Sequence, residues 1–123
     1  MTVKLSEGQF QKQVIAYLKS QGVWYVKYWG GAQFTKEGVP DILACINGEF
    51  HGIELKSDGT SYNETVLQAL SLTRINRNEG QGYVLRPTKM PKPRYPDATH
   101  PADKFDYYCM TFNEWKRKWF KDE

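Results

Sequence analysis

The chain has 123 residues, 40% of them hydrophobic and 25% charged, a balance that supports one packed domain with a modest core and excludes a disordered chain. Its net charge of +3 says little alone. Acids gather in the middle while basic and aromatic residues gather from Arg86 onward, a pattern compatible with a polyanionic partner. No apolar run approaches bilayer length, so no membrane-spanning segment is expected.

Ser6-Glu7-Gly8-Gln9 reads as a capping box, and Phe10, Val14, Tyr17 and Leu18 then fall at helical spacing until Gly22 stops the helix. Residues 23–29 are aromatic and β-branched, which predicts a strand, and residues 30–38 form a glycine-bounded loop. A second strand runs from Asp41 to Ile46. Asn47-Gly48 supplies a hairpin turn that favours positive φ, and a third strand runs from Phe50 to Lys56. Ser61-Tyr62-Asn63-Glu64 reads as a further capping box, opening a helix that ends near Asn78 and Gly80, and Tyr83-Val84-Leu85 is a short strand. Residues 87–104 hold five of the six prolines and show no periodicity, so they read as a surface loop. Phe105 to Met110 is a last strand, and Thr111-Phe112-Asn113-Glu114 caps a closing helix through Phe120. The order is αβββαβ followed by a loop, β and α. An α/β fold follows, with a mixed sheet flanked by helices, in a single domain over residues 1–123.

The chemistry concentrates in residues 38–56. Pro40 fixes its own φ and holds Val39 extended, so Asp41 opens a strand. Thirteen positions later comes Glu54-Leu55-Lys56, where alternation puts Glu54 and Lys56 on one face and Ile53 and Leu55 on the other. In a hairpin Asp41 reaches Glu54, and two carboxylates that close repel unless a cation joins them. Mg²⁺ suits such oxygens and is commonly held by one or two carboxylates plus waters and substrate phosphates. Lys56 then stands beside the attacking water. That is the layout of a metal-dependent phosphodiesterase.

Glu7, Phe10, Val14 and Leu18 share a helical stripe, which turns Glu7 toward the sheet from the helix start; a dipole-favoured acid is the plainer reading. Gln68, Leu72 and Ile75 form a second stripe, so an amide looks inward where apolar groups are expected and needs partners there. A buried structural glutamine is the rival.

Four segments taken in order resemble the PD-(D/E)XK nuclease superfamily, the core of restriction-endonuclease-like folds. They are Glu7-Gly8-Gln9-Phe10-Gln11-Lys12-Gln13 with Ala16-Tyr17-Leu18 and Gly22; Gly38-Val39-Pro40-Asp41-Ile42-Leu43; Gly52-Ile53-Glu54-Leu55-Lys56; and Gln68 before Gly80. The likeness is nearer to compact stand-alone VRR-NUC type nucleases of bacteria and phages, more distant to archaeal Holliday-junction resolvases, and covers about residues 6–86. Residues 87–123 form an extension outside the shared core.

The resemblance implies that Asp41 and Glu54 are ligands of Mg²⁺ or Mn²⁺, completed by the backbone carbonyl of Leu55, with Glu7 binding directly or through water. It implies that Lys56 orients or helps deprotonate the attacking water and steadies the developing charge, and that Gln68 supports Lys56 or touches the phosphate. An endonuclease acting on DNA is implied, with branched DNA such as Holliday junctions preferred by some members, a 5′-phosphate product, and homodimers in many cases. The cytoplasm of a bacterium or of a phage-infected host is the implied location. The residues bear on location too. Cys45 and Cys109 are the two cysteines, and Met1-Thr2-Val3-Lys4 leads straight into a polar helix without a signal-peptide pattern. That reads as a reduced, intracellular chain with packed thiols.

Lys27, Lys36, Arg74, Arg77, Lys116, Arg117 and Lys118 are the cations available for phosphate contacts. In the closing helix Trp115 and Trp119 could stack on bases, but Phe112, Trp115 and Trp119 also fall at packing spacing, and packing is the favoured reading. His51 and His100 have no zinc-site spacing, and His51 falls on the face opposite Lys56 unless a bulge intervenes. Two readings of other classes stay open on the same fold: a catalytically idle DNA-binding module, and a protein-binding regulator that uses the aromatic tail. Divalent-metal binding discriminates them from the nuclease.

Overall fold

The computed structural model describes residues 5–28, 37–58, 64–90 and 105–120. Its elements are α1 (Glu7–Ser20), β1 (Trp24–Lys27), β2 (Ile42–Ile46), β3 (Glu49–Leu55), α2 (Val66–Arg77), β4 (Gln81–Arg86), β5 (Tyr108–Thr111) and α3 (Phe112–Trp119). The five strands lie side by side in chain order in one open sheet. Antiparallel pairing joins β1 to β2 and β2 to β3, and parallel pairing joins β3 to β4 and β4 to β5. Among the described residues the fold is α/β with a mixed sheet and three helices.

Alternation along the strands divides the side chains between two faces. Ile42, Ala44, Ile46, Ile53, Leu55, Tyr83 and Leu85 join Phe10, Val14 and Leu18 of α1 and Trp115 of α3 in the larger core. Ala69 and Leu72 of α2 pack with Val84 and Tyr107 on the other face. Space for α2 comes from Gly52 and Gly82, which are partners across β3 and β4. A Cβ on Gly82 would lie 2.5 Å from the Leu72 carbonyl oxygen, and one on Gly52 would strike Ile75 Cδ1. The two glycines let the helix sit down on the strands.

Three capping boxes start the helices: Ser6 with Gln9, Thr65 with Gln68, and Thr111 with Glu114. Each satisfies two backbone donors that a helix start leaves orphaned. The second differs from the sequence expectation, because α2 is capped by Thr65; residues 61–63 lie outside the described set. The hairpin turn is as expected, with positive φ at Asn47 and Gly48 (52° and 83°). The last strand is shifted, running from Tyr108 to Thr111 instead of starting at Phe105. Tyr107 instead joins the α2 core, and the Asp106 amide donates to Thr73 Oγ1. Trp29, Lys36, His100 and most of the proline-rich stretch fall outside the described residues.

Two single-residue expectations resolve here. His51 lies on the α1/α3 face, fully buried, with Nδ1 2.7 Å from the Tyr83 hydroxyl, which also accepts from the Trp115 indole at 2.7 Å. Burial pushes its pKa down to about 4, so it is a neutral packing residue. Cys45, expected to be packed, is exposed. It faces the α2 side of the sheet, where its neighbours Trp24 and Phe50 are themselves 65% and 47% exposed, because α2 covers β3 and β4 and leaves this edge bare. Among the described residues no helix is long and apolar enough to cross a membrane.

Candidate active site

The candidate residues meet at one end of the sheet, away from the Asn47-Gly48 hairpin. Asp41 enters β2 from a segment pinned against α2: Gly38 has φ +78°, and a Cβ there would lie 2.6 Å from the Leu67 carbonyl oxygen. Only glycine tolerates that backbone and that approach. The β2–β3 register, Ile42 opposite Ile53, continues by one residue to set Asp41 against Glu54. Asp41 Oδ2 accepts the Leu55 amide at 2.8 Å, which fixes its carboxylate against the strand.

Glu54 is 2% exposed and sits under α2. Its Oε2 accepts from Gln68 Nε2 at 2.9 Å and lies 3.7 Å from Lys56 Nζ. Gln68 therefore works at both ends: its Oε1 accepts the Thr65 amide in the cap while its amide nitrogen reaches Glu54. The inward glutamine has found its partners. Lys56 is 7% exposed, and its amide donates to the Leu85 carbonyl, extending the β3–β4 pairing.

Crowding of acids sets the electrostatics. Burial, then the Asp41 charge and more weakly Glu7, push the Glu54 carboxyl up to about 8, against the opposing pull of Lys56. Burial also raises Asp41, partly offset by the Leu55 amide and by Lys56. Glu7, in the exposed first turn of α1, is raised by desolvation and by Asp41, and lowered by Lys56 and Arg86. Glu7, Asp41 and Glu54 thus feel one another, and at neutral pH the metal-free cluster keeps a proton on Glu54. Glu7, Gly8, Gln11, Asp41 and Leu55 line a small cleft of about 80 Å³ at its mouth.

The chemistry of this donor set fits a hard divalent cation, which would replace the retained proton. Asp41 and Glu54 would be its two protein carboxylates, with Leu55 and Glu7 at the cleft beside them. Among the described residues no three His, Cys, Asp or Glu side chains form a ready metal-holding group. An ion here would draw its other oxygens from backbone, water and substrate, as Mg²⁺ does.

The cations divide differently. Lys27, at the end of β1, is close enough for its charge to lower Asp41. Arg74 and Arg77 are exposed on α2, and Arg77 Nε is bonded to Asp106 Oδ2 at 2.6 Å. Lys116, Arg117 and Lys118 are not brought to the acids. α3 packs on the opposite face of the sheet, and the Trp119 carbonyl accepts from Asn47 Nδ2 at the far end of the hairpin. Lys116 Nζ lies 4.4 Å from the Phe112 ring centroid and Lys118 Nζ 5.2 Å from that of Trp119. Trp115 is fully buried and Trp119 packs against the core, so the aromatic stripe is packing.

Sequence reasoning missed two charged residues beside the cluster. Arg86 Nη2 lies 3.5 Å from Glu64 Oε2, both side chains 1% exposed or less, and Nη1 donates to the Ser57 carbonyl at 2.7 Å. The available signal was a cation closing the apolar run Tyr83-Val84-Leu85, which reads equally well as the start of the basic tail. Compared with protein-family models, curated proteins and solved structures, the chain matches none.

Proposed function

We propose that the chain is a Mg²⁺- or Mn²⁺-dependent DNA endonuclease of the PD-(D/E)XK kind, with Asp41, Glu54 and Lys56 as its catalytic core. One observation carries the reading: three separated segments converge on the buried Glu54 carboxyl, whose Oε2 accepts from Gln68 and lies 3.7 Å from Lys56 Nζ, while Asp41 shares a hydrogen bond with it and accepts the Leu55 amide, and Glu7 is in electrostatic contact. The resemblance assembled from sequence motifs is supported by this meeting, and by α1 and α2 both starting at this end of the sheet, where helix amino termini favour an anionic phosphate.

Bound between Asp41 and Glu54, a divalent ion would supply charge neutralisation at the phosphodiester and acidify a water. The chain's own groups do the rest. The Leu55 amide holds Asp41, and Gln68 holds Glu54, so both carboxylates are oriented before substrate arrives. Lys56 steers the attacking water and steadies charge on the phosphoryl oxygens. Glu7, which lines the cleft, would take the water's proton. Water adds to phosphorus, the bond to the 3′-oxygen breaks, and that oxygen gains a proton, leaving a 3′-hydroxyl and a 5′-phosphate.

Calorimetric titration with Mn²⁺ tests this reading. A carboxyl with a pKa of about 8 is mostly protonated at pH 7 and must lose its proton to bind, so about one proton should leave per ion. Binding that vanishes in Asp41→Asn and Glu54→Gln is the expected result. Absent binding, or equal binding in both variants, would return the chain to the idle DNA-binding module or the protein-binding regulator.

A further inference from the structure

Lys56 and Gln68 meet at Glu54 from opposite elements, the end of β3 and the start of α2. Arg86 touches the chain near each of them, one residue after Lys56 and four residues before Gln68. Through Nη1 it holds the carbonyl of Ser57, the residue after Lys56, and through Nη2 it faces Glu64, the residue before the Thr65 cap. Glu64 is fixed in turn by the Tyr107 hydroxyl, which donates to Oε1 at 3.2 Å. With its side chain 1% exposed, the guanidinium cannot reach a phosphate. We propose that Arg86, with Glu64, is a positioning residue of the site: a buried bridge that sets the spacing between Lys56 and Gln68 around Glu54. The role rests on the nuclease reading. An arginine suits it because the planar fork serves two acceptors at once, which a lysine cannot reproduce.

A buried pair can also be mere scaffolding, and removing one partner of such a pair is strongly destabilising. Two variants separate these roles. Arg86→Lys keeps the charge and loses the fork. The double variant Arg86→Met/Glu64→Gln removes both charges together, which is often neutral for stability, and cuts the tether to Ser57.

Two readouts are taken on folded protein: the Gln68 side-chain amide signal in ¹H–¹⁵N spectra without metal, and single-turnover cleavage of a four-way junction in Mn²⁺. In both variants the Gln68 signal should move toward that of a free amide while core amides of β3 and β4 stay in place. The maximal rate should fall on the order of 10- to 10²-fold, the scale of a small misplacement, with little change in the half-saturating DNA concentration. If the parent cuts and the folded variants cut equally fast with an unmoved Gln68 signal, Arg86 is scaffolding and the inference is overturned. A parent that cuts no DNA removes the reaction itself, and this role with it.

Discussion

Replacing Glu54 with glutamine should change how stability depends on pH, in a direction and size the site dictates. Burial and the facing acids hold the Glu54 carboxyl near 8, against an ordinary 4.5. Between those values the unfolded chain has lost this proton and the folded protein keeps it. Stability therefore falls as pH rises, by up to about 1.4 kcal/mol per pH unit. His51 acts oppositely at lower pH. Its folded value of about 4 lies below its ordinary 6.5, so the neutral ring adds stability as pH climbs through that interval. Cys109, lifted to about 12 from 9.0, adds a further loss only above its ordinary value. The clean window is pH 7 to 8. There a group near 8 costs the metal-free parent about 1 kcal/mol, equivalent to roughly 3–6 °C in melting temperature for a chain of this size. Melts followed by circular dichroism in EDTA at pH 7, 7.5 and 8 would measure it. Glu54→Gln carries no titrating group and should lose this part of the slope. Equal slopes in parent and variant would mean that Glu54 is ionised at neutral pH and that the acid cluster is not electrostatically frustrated.

Three further outcomes follow from other parts of the molecule. Lys56→Ala should keep its circular dichroism spectrum yet lose cleavage by on the order of 10²-fold, the scale of one electrostatic stabiliser; cleavage within a few-fold of the parent would remove Lys56 from the chemistry. Gly82→Ala drives a methyl into the Leu72 carbonyl and should cost about 1–3 kcal/mol in urea melts, whereas an unchanged midpoint would show that α2 can lift without penalty. Replacing Lys116, Arg117 and Lys118 together should leave the salt dependence of junction binding nearly unchanged, since the run lies on the face away from Glu54; a log–log slope flatter by about two to three would put α3 on the DNA.

Local signals made the elements readable. Apolar spacing fixed α1 by Phe10, Val14 and Leu18, and the Asn47-Gly48 turn fixed the β2–β3 register, from which the Asp41–Glu54 approach follows. The inward-facing Gln68 was legible because an amide in an apolar stripe needs a partner. Less local features were not. The cap of α2 moved to Thr65, a residue with the same capping chemistry as the serine before it. Arg86 looked like the first cation of a basic tail, because nothing in one strand says that the facing helix start will bring Glu64 beneath it. Cys45 looked packed because alternation gives the face and not whether a helix covers it. The closing cations looked available for DNA until the chain reversal after β5 sent α3 to the other side of the sheet.

One cleavage experiment tests the nuclease reading most directly. Supercoiled plasmid and a four-way junction are incubated with the parent and with Asp41→Asn, in Mg²⁺, in Mn²⁺ and in EDTA, and the product ends are identified. Nicked or resolved DNA bearing 5′-phosphate and 3′-hydroxyl ends is expected, formed by the parent with either ion and abolished by EDTA and by the substitution. Uncut DNA with the parent in both ions, or cleavage that persists in EDTA or in Asp41→Asn, would contradict the nuclease reading.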